Sequence, residues 1–336
     1  MHQDRPRSLI LFPGALGDFV CFLPTLDRIQ QSSAVDLCAR LEFADLVSSR
    51  IRLLSVDSYA IRRLFVRAGA DDEQVRGFFA CYDSVYSWMG SGVVDFRAQL
   101  VSVTQGKALL FPFRPLHGGI HQADYFLQCI AAPPTTTDPT ISKNPEAHRW
   151  CESYWQRHSL FGRPVLAVAP GSGAEEKNWP VSSFAAVAQW WRRQFEGTVI
   201  VILGPAEEER GGYDLLCRDA LQVRNLGLAR LAALLARCNL YLGNDSGTTH
   251  LAAAAGAPTV ALFGPSDVFQ WAPKGKCVIT LKRHESCSPC TWEEMKGCPH
   301  RRCLTAMDPP AVISQLEQWP IVASLTRQML GSTVKH

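Results

Sequence analysis

The segment Gly243–Asp267 combines the residue types of an anion-binding site. It reads GNDSGTTHLAAAAGAPTVALFGPSD, and an apolar run ends at Gly243 before Asn244, Asp245 and Ser246, which are residue types that cap helices. The first N–H groups of a helix have no partner inside the helix, and the positive end of its dipole favours a phosphate. The pattern predicts a phosphate site, and the alternative is an ordinary helix cap followed by an alanine-rich core helix.

The loop Pro170–Pro180 (PGSGAEEKNWP) follows another apolar run in the same way. Gly171 permits close approach of the backbone to a ligand, and Lys177 would neutralise the charge on a departing phosphate. The loop matches neither of the usual nucleotide fingerprints, GxGxxG or GxxxxGK[ST]. A solvated surface lysine is the alternative to a phosphate-binding one.

Asp18, Glu207 and the pair of His121 and Asp124 are further candidates. Asp18 ends the loop PGALGD at a predicted helix start, where it could accept a proton from a substrate hydroxyl or simply complement the helix dipole. Glu207 in GPAEEE follows a predicted strand and could bind a ribose, or it could favour the first turn of a helix. His121 and Asp124 share one helical face, although an isolated histidine is usually structural.

Four cysteines fall together in the segment CSPCTWEEMKGCPHRRC. They are Cys287, Cys290, Cys298 and Cys303, with His300 as a substitute ligand. A Cys-x-x-Cys pair followed closely by two more cysteines can form a tetrahedral thiolate site for structural Zn or Fe. Reduced thiols or a reversible disulfide are the alternatives.

Length and composition favour a protein of about two domains over a single small binding module. The chain has 336 residues, of which 47% are hydrophobic and 19% charged, so it can bury a large core. A net charge of +3 is too small for a general nucleic-acid binder. Twelve cysteines without a secretory signal favour a reducing, cytoplasmic compartment. The apolar stretch Leu251–Pro265 is too short to cross a membrane.

Short apolar runs alternate with helical patterns along the whole chain, which predicts an α/β protein with two doubly wound parallel sheets. Ligands of such sheets bind beyond the carboxyl ends of the strands. The predicted strands are Ser8–Phe12, Val85–Trp88, Ala108–Phe111, Val165–Ala169, Thr198–Leu203, Leu240–Leu242 and Thr259–Phe263. We expect an N-terminal domain over 1–145, a linker over 146–162, a C-terminal domain over 163–318 carrying the cysteine insert 287–303, and a tail over 319–336 that returns to the N-terminal domain.

These segments together resemble family 9 glycosyltransferases, the heptosyltransferases of lipopolysaccharide core assembly. PGALGDFVCFLPTL, PGSGAEEKNWP, GPAEEE and LARLAALLARCNLYLGNDSGTTHLAAAAGAPTVALFGPSD occur in the order and spacing of that family, over roughly Leu9 to Met307. The resemblance implies a GT-B architecture, in which two Rossmann-like domains face an inter-domain cleft. It also implies an inverting transferase that uses ADP-L-glycero-D-manno-heptose without an obligatory metal. One branch of the family, which modifies autotransporter proteins, holds a structural metal in a comparable insertion.

The resemblance also implies roles for individual residues. Asp18 would be the general base, Lys177 would neutralise the donor diphosphate, and Glu207 would bind the ribose. The expected donor-binding residues are Gly171, Ser172, Glu207, Asn244, Asp245, Ser246, Gly247, Thr248, Thr249 and His250. We expect acceptor contacts from Gly17, Arg62, Arg63 and His121. The basic and apolar residues of RRLFVR (62–67) suit an interfacial acceptor, and a solvated helix face is the alternative.

The chain departs from the family pattern at two places. Phe12 and Pro13 stand where members usually carry Lys or Arg, and Thr248 stands where a proline is common. We expect transfer of a heptose from a nucleotide diphosphate to a lipopolysaccharide-core or related glycan, in the cytoplasm or on the cytoplasmic face of the inner membrane. A nucleotide-sugar epimerase and a catalytically silent sugar-nucleotide binding or assembly protein are the alternatives.

Overall fold

The structure is a computed structural model that describes residues 5–116, 118–134 and 138–333. The chain divides into two compact units, Met1–Ser142 and Lys143–His336. Each unit is built on a parallel sheet with helices between successive strands. The predicted α/β class and the two doubly wound sheets are therefore confirmed.

The described residues of the first unit form a five-stranded sheet in the order β3-β2-β1-β4-β5, and every strand pair is parallel. The strands are β1 (Arg7–Leu11), β2 (Ala34–Ala39), β3 (Arg52–Ser55), β4 (Ser84–Ser87) and β5 (Ala108–Leu110). The helices are α1 (Leu16–Ser32), α2 (Tyr59–Arg63), α3 (Glu73–Ala80), α4 (Val94–Val103) and α5 (Gln122–Cys129).

The described residues of the second unit form a six-stranded parallel sheet in the order β11-β10-β9-β6-β7-β8. Its strands are β6 (Val165–Ala169), β7 (Thr198–Leu203), β8 (Leu221–Arg224), β9 (Leu240–Asn244), β10 (Thr259–Phe263) and β11 (Val278–Lys282). Its helices are α6 (Pro145–Arg157), α7 (Val181–Phe195), α8 (Pro205–Arg210), α9 (Asp214–Cys217), α10 (Leu228–Leu235), α11 (Gly247–Ala254), α12 (Val268–Trp271), α13 (Trp292–Gly297), α14 (Arg302–Thr305), α15 (Pro309–Gln318) and α16 (Pro320–Thr333).

The strand orders put the loops beside the predicted site residues at the carboxyl edge of each sheet. In each sheet the winding direction reverses between two neighbouring strands, β1 and β4 in the first unit and β6 and β9 in the second. Connections on the two sides of such a reversal leave in opposite directions and open a crevice beyond the carboxyl ends of the strands. Asp18 lies in the first turn of α1, after the loop that follows β1, and the loops that carry Lys177 and Asp245 follow β6 and β9.

Helices occupy most of the expected linker and of the expected tail. Most of the expected linker, 146–162, belongs to α6, which packs against α10 in the second unit because Cys151, Tyr154 and Trp155 are buried. The expected tail contains α16, which packs against α7 and α15 of the same unit with Val322 inside its apolar core. Among the described residues, every helix is too short or too polar to cross a lipid bilayer.

A buried carboxylate joins three strands of the first sheet. Asp36 on β2 is 8% exposed and accepts hydrogen bonds from Arg52 on β3, from Tyr82 at 2.7 Å and from Arg7 on β1 at 3.1 Å. Burial alone would raise the pKa of Asp36, but these hydrogen bonds and the two guanidinium charges outweigh it and lower the pKa. The ionised form of Asp36 therefore stabilises the fold.

We expect Asp36→Asn to lower the free energy of unfolding by about 1–2 kcal/mol near neutral pH, because charge-assisted hydrogen bonds are lost. Since the folded pKa lies below the ordinary 3.8, the contribution of Asp36 is complete above that value and disappears as the pH falls through the folded pKa. Urea unfolding should show the full difference from the wild type at about pH 6, and this difference should shrink progressively as the pH is lowered below the ordinary pKa of 3.8. Asp45→Asn, at an exposed position, is the control. A difference independent of pH would contradict the assignment.

Candidate functional site

Asp18 is the third residue of α1, at the carboxyl end of β1. One carboxylate oxygen accepts a hydrogen bond from the backbone of Ala15 at 3.3 Å, and the other lies 2.9 Å from Nη1 of Arg114. The Asp18 side chain is 12% exposed. Gly14 lets the preceding loop pack closely, because a Cβ there would lie 2.8 Å from Cβ of Asp18 and 2.5 Å from the ring of Phe12. The carboxylate is thus fixed at the helix start beside a cation.

Arg114 is a neighbour of the Asp18 carboxylate that the sequence patterns did not single out. The sequence showed that Phe12 and Pro13 replace an expected basic residue. Phe12 is fully buried and stacks on Phe22 at 4.4 Å. It also contacts Phe113 at 5.6 Å, and the guanidinium of Arg114 lies 4.3 Å above the Phe113 ring. The positive charge therefore comes from the segment after β5. The sequence signal that could have identified Arg114 is its place shortly after the predicted strand Ala108–Phe111, at the carboxyl edge of the sheet.

The predicted acceptor residues fall into two groups. Arg62 is exposed on α2, which follows β3 and therefore lies at the same sheet edge as Asp18, whereas Arg63 lies 3.5 Å from Asp72. His121 is 8% exposed and caps α5, where its Nδ1 accepts a hydrogen bond from Ala123 at 3.1 Å. Gly17 is the second residue of α1. The geometry gives Arg63 and His121 structural partners and leaves Arg62 facing solvent.

Lys177 and Asp245 meet in the second unit. Lys177 ends the short 3-10 turn Glu175–Lys177 in the β6–α7 loop, and Asp245 directly follows β9. Nζ of Lys177 lies 2.7 Å from Oδ2 of Asp245, with the two side chains 28% and 8% exposed. Two loops distant in sequence therefore place one ammonium and one carboxylate at the point where the winding of the sheet reverses.

Asn244 holds these two loops together. Its side chain is fully buried, its Nδ2 donates to the carbonyl of Pro170 at 2.7 Å, and its Oδ1 accepts from the backbone of Trp179 at 2.9 Å. The sequence assigned Asn244 to donor binding. Because both ends of its amide are engaged by the β6–α7 loop, the geometry makes it a positioning residue for that loop.

The start of α11 has buried residues that are fixed by hydrogen bonds and partly exposed residues beside them. Thr249 is fully buried, and its hydroxyl contacts Tyr241 at 3.0 Å and donates to the carbonyl of Asn244. Burial raises the pKa of Tyr241, which keeps its phenol protonated. Ser246 caps the helix by accepting from the backbone of Thr249. His250 is 4% exposed. Ser246–Thr248 are partly exposed and offer the first amides of the helix to a ligand.

The loop after β6 also contacts α8. A Cβ at Gly171 would lie 1.8 Å from Oε1 of Glu207, so a larger residue there would displace this carboxylate from its place over the loop. The other Glu207 oxygen accepts from the backbone of Gly204 at 2.9 Å. Arg210, which the sequence did not single out, donates to the carbonyl of Ser172 at 3.0 Å. The structure therefore brings Gly171, Ser172 and Glu207 together.

The four predicted metal-binding cysteines lie in one neighbourhood. Burial, together with the nearby thiols of Cys290, Cys287 and Cys298, raises the pKa of Cys303 to about 11. Sγ of Cys290 donates to the carbonyl of Cys287 at 3.1 Å, and Sγ of Cys298 lies 3.5 Å from Nδ1 of His300. Within the described part of the chain, no three His, Cys, Asp or Glu side chains are arranged to hold a metal ion. The donor chemistry fits a thiolate site, and the side chains as placed do not converge on one.

Comparison with known proteins agrees with this architecture. The model of glycosyltransferase family 9 (heptosyltransferase) matches residues 126–298, about half of the chain. Lipooligosaccharide heptosyltransferase 2 of Campylobacter jejuni serotype O:2 is 32% identical over 164 residues, which cover 46% of this chain and 50% of the relative. The chain spans about half the length of the curated relatives it matches.

Solved structures extend the likeness of the fold to the whole chain. A glycosyl transferase family 9 protein from Veillonella parvula is 21% identical with a TM-score of 0.77, over 98% of this chain and 99% of that one. The iron-containing dodecameric heptosyltransferase TibC of Escherichia coli, in complex with ADP-D-β-D-heptose, is 16% identical. Its TM-score is 0.61, over 97% of this chain and 77% of that one. The two Rossmann-like domains are thus confirmed.

Proposed function

This chain belongs to glycosyltransferase family 9, and we propose that it transfers a heptose from ADP-heptose to a lipopolysaccharide-core or related glycan acceptor, with inversion at the anomeric carbon. The donor is supported by TibC, a relative in fold that is known in complex with an ADP-heptose. The acceptor class is supported by the lipooligosaccharide heptosyltransferase that matches 46% of this chain. In the proposed reaction a hydroxyl of the acceptor glycan therefore receives the heptose, and ADP leaves.

The ion pair of Lys177 and Asp245 is the observation that carries the proposal. It lies beyond the carboxyl ends of β6 and β9, next to the first amides of α11. A diphosphate placed there would receive the ammonium of Lys177 and the N–H groups at Ser246–Thr248. Both kinds of donor would stabilise the negative charge that grows on the departing nucleotide. Glu207, which lies over Gly171 at the neighbouring loop, would bind the ribose.

Asp18 is the proposed general base. The acceptor hydroxyl would attack the anomeric carbon from the face opposite the diphosphate, and Asp18 would take its proton as the new glycosidic bond forms. Arg114, 2.9 Å from the carboxylate, would hold Asp18 in place and offer a positive charge to an anionic acceptor. Arg62, together with Phe65 and Val66, which are 46% and 49% exposed, would contact a lipid-linked acceptor at the cytoplasmic face of the inner membrane.

Nucleotide binding is tested by thermal unfolding with ADP, UDP and GDP. We expect ADP to raise the Tm of the wild-type protein, because a ligand that binds only the folded state stabilises it. Lys177→Met should weaken ADP binding about tenfold or more through loss of a charge-assisted contact. Lys177→Arg, which keeps the positive charge, should retain most of the shift, and Lys276→Met, at an exposed lysine, is the control. Unchanged Tm values with every nucleotide would contradict the proposal.

Turnover is tested with Asp18→Asn. We expect kcat to fall by about 10²–10⁴-fold, because the amide cannot accept the hydroxyl proton. The Kd for ADP should stay within about twofold of the wild type, since Asp18 is proposed to act on the acceptor. Asp27→Asn, at an exposed carboxylate on the same helix, is the control and should keep full activity. Near-normal turnover of Asp18→Asn would refute its role as the base, and product formed from donor alone would indicate epimerisation.

We also propose that Cys287, Cys290, Cys298 and Cys303 hold a structural metal, Zn or Fe. The metal would cross-link the insert and takes no part in the transfer. TibC is iron-containing, and four thiols within one insert supply a suitable donor set. No other cofactor is proposed.

Metal analysis of protein purified without added metal should give about one Zn or Fe per chain. The double substitution Cys287→Ser with Cys290→Ser should remove it, whereas Cys81→Ser, at an exposed cysteine outside the insert, should not. A metal content far below one per chain in the wild-type protein would refute the site.

A further inference from the structure

A small cavity lies beside Lys177, between the candidate donor site and the cysteine insert. Its volume is about 360 Å³. Lys177 forms one side, the loop and short helix α12 after β10 form the second, and the insert forms the third. The side chains that carry its chemistry are Lys177, Asp267, Gln270, Trp271, Trp292 and Met295.

The insert is held by hydrogen bonds against the first wall of the cavity, which is the turn that carries Lys177. Nζ of Lys296 on α13 lies 2.9 and 3.0 Å from the two carboxylate oxygens of Glu176, and Nη1 of Arg301 donates to the carbonyl of Glu175 at 3.0 Å. The bond from Lys296 is the main cause that lowers the pKa of Glu176, so the pair stays ionised at neutral pH. The insert and the Lys177 turn therefore have a fixed relative position.

Hydrogen bonds also hold the insert against the second wall, which is the loop between β10 and α12. The backbone N–H of Cys290 donates to the carbonyl of Pro265 at 2.8 Å, and the hydroxyl of Ser288 donates to the carbonyl of Gly264 at 2.8 Å. These carbonyls begin the loop that leads to Asp267 and α12. Because hydrogen bonds and an ion pair join the insert to both walls, the shape of the cavity is fixed within the second unit.

The lining suits a sugar better than a nucleotide base or an apolar ligand. Trp271 and Trp292 offer aromatic surface for the C–H faces of a pyranose ring. Asp267 and Gln270 supply a carboxylate and an amide for its hydroxyl groups. Ligand pockets are usually about 300–1,000 Å³, so a cavity of about 360 Å³ has room for one sugar ring but not for a whole nucleotide sugar.

Trp292 is the contribution of the insert to this pocket. It begins α13 and is 58% exposed, so much of its surface is open to a ligand. The ammonium of Lys296 lies 4.9 Å from its ring centroid, so the same lysine that binds Glu176 also steadies the indole. The ring therefore borders the cavity without contributing to a buried core.

We infer that the cavity beside Lys177 receives the transferred sugar of the donor, and that Trp292 of the cysteine insert is a specificity-determining residue that stacks on that sugar. The inference rests on the proposed function, because it takes the diphosphate to lie at Lys177. It gives the insert a role in substrate recognition, in addition to the structural role proposed for its cysteines. The nucleotide and diphosphate are bound by other loops, so Trp292 should affect only the sugar.

The test compares ADP with ADP-heptose by calorimetric titration of the full-length protein. We expect Trp292→Ala to raise the Kd of ADP-heptose about tenfold while the Kd of ADP stays within about twofold. Trp292→Phe, which retains an aromatic face, should recover most of the affinity for ADP-heptose. Phe269→Ala is the matched control, because Phe269 is an aromatic residue of α12 that is 63% exposed and does not line the cavity. Neither Kd should change in that variant.

Three results would overturn the inference while the proposed function stands. These are an unchanged Kd for ADP-heptose in Trp292→Ala, an equal weakening of ADP and ADP-heptose, and an equal effect of Phe269→Ala. A wild-type protein that binds neither ADP nor ADP-heptose would refute the proposed function itself, and the inference with it. The Tm of each variant without ligand should match the wild type, because both residues are exposed.

Discussion

The amide of Asn244 is the contact on which the candidate donor site depends. It is fully buried at the end of β9, and its two hydrogen bonds fix the beginning and the end of the β6–α7 loop at Pro170 and Trp179. A buried amide that lost either partner would leave a polar group unpaired at a cost of about 1–3 kcal/mol. The loop therefore cannot move away from β9 without breaking this pair. That restraint is what keeps Lys177 within 2.7 Å of Asp245.

Each unit places a carboxylate beside a cation at the carboxyl edge of its sheet. In the first unit Asp18 is paired with Arg114, and in the second Asp245 is paired with Lys177. In both pairs the carboxylate is much less exposed than the cation, at 12% against 42% and at 8% against 28%. The carboxylate thus anchors the cation, whose outer side can still meet an anionic ligand. Such a site offers positive charge to a phosphate without leaving a buried charge unpaired.

The strands that sequence patterns located well are those buried on both faces. Val165–Ala169, Thr198–Leu203 and Thr259–Phe263 have the predicted bounds, because a central parallel strand reads as a continuous apolar run. The pattern gave no indication of β2, since Asp36 interrupts it, and only the partners Arg7 and Arg52 on neighbouring strands explain a buried carboxylate there. The helix α6 was missed because the prolines before it suggested a linker.

The sequence by itself determined the alternation of strands and helices, the family, and the loops that hold Asp18, Lys177 and Asp245. These are local properties, since apolar runs, glycines and helix caps act within a few residues of the chain. The tertiary structure alone decided which side chains meet: Arg114 with Asp18, and Lys296 of the cysteine insert with Glu176. Such pairs join residues 96 and 120 positions apart, and they form only because strand order brings distant loops to one edge of a sheet.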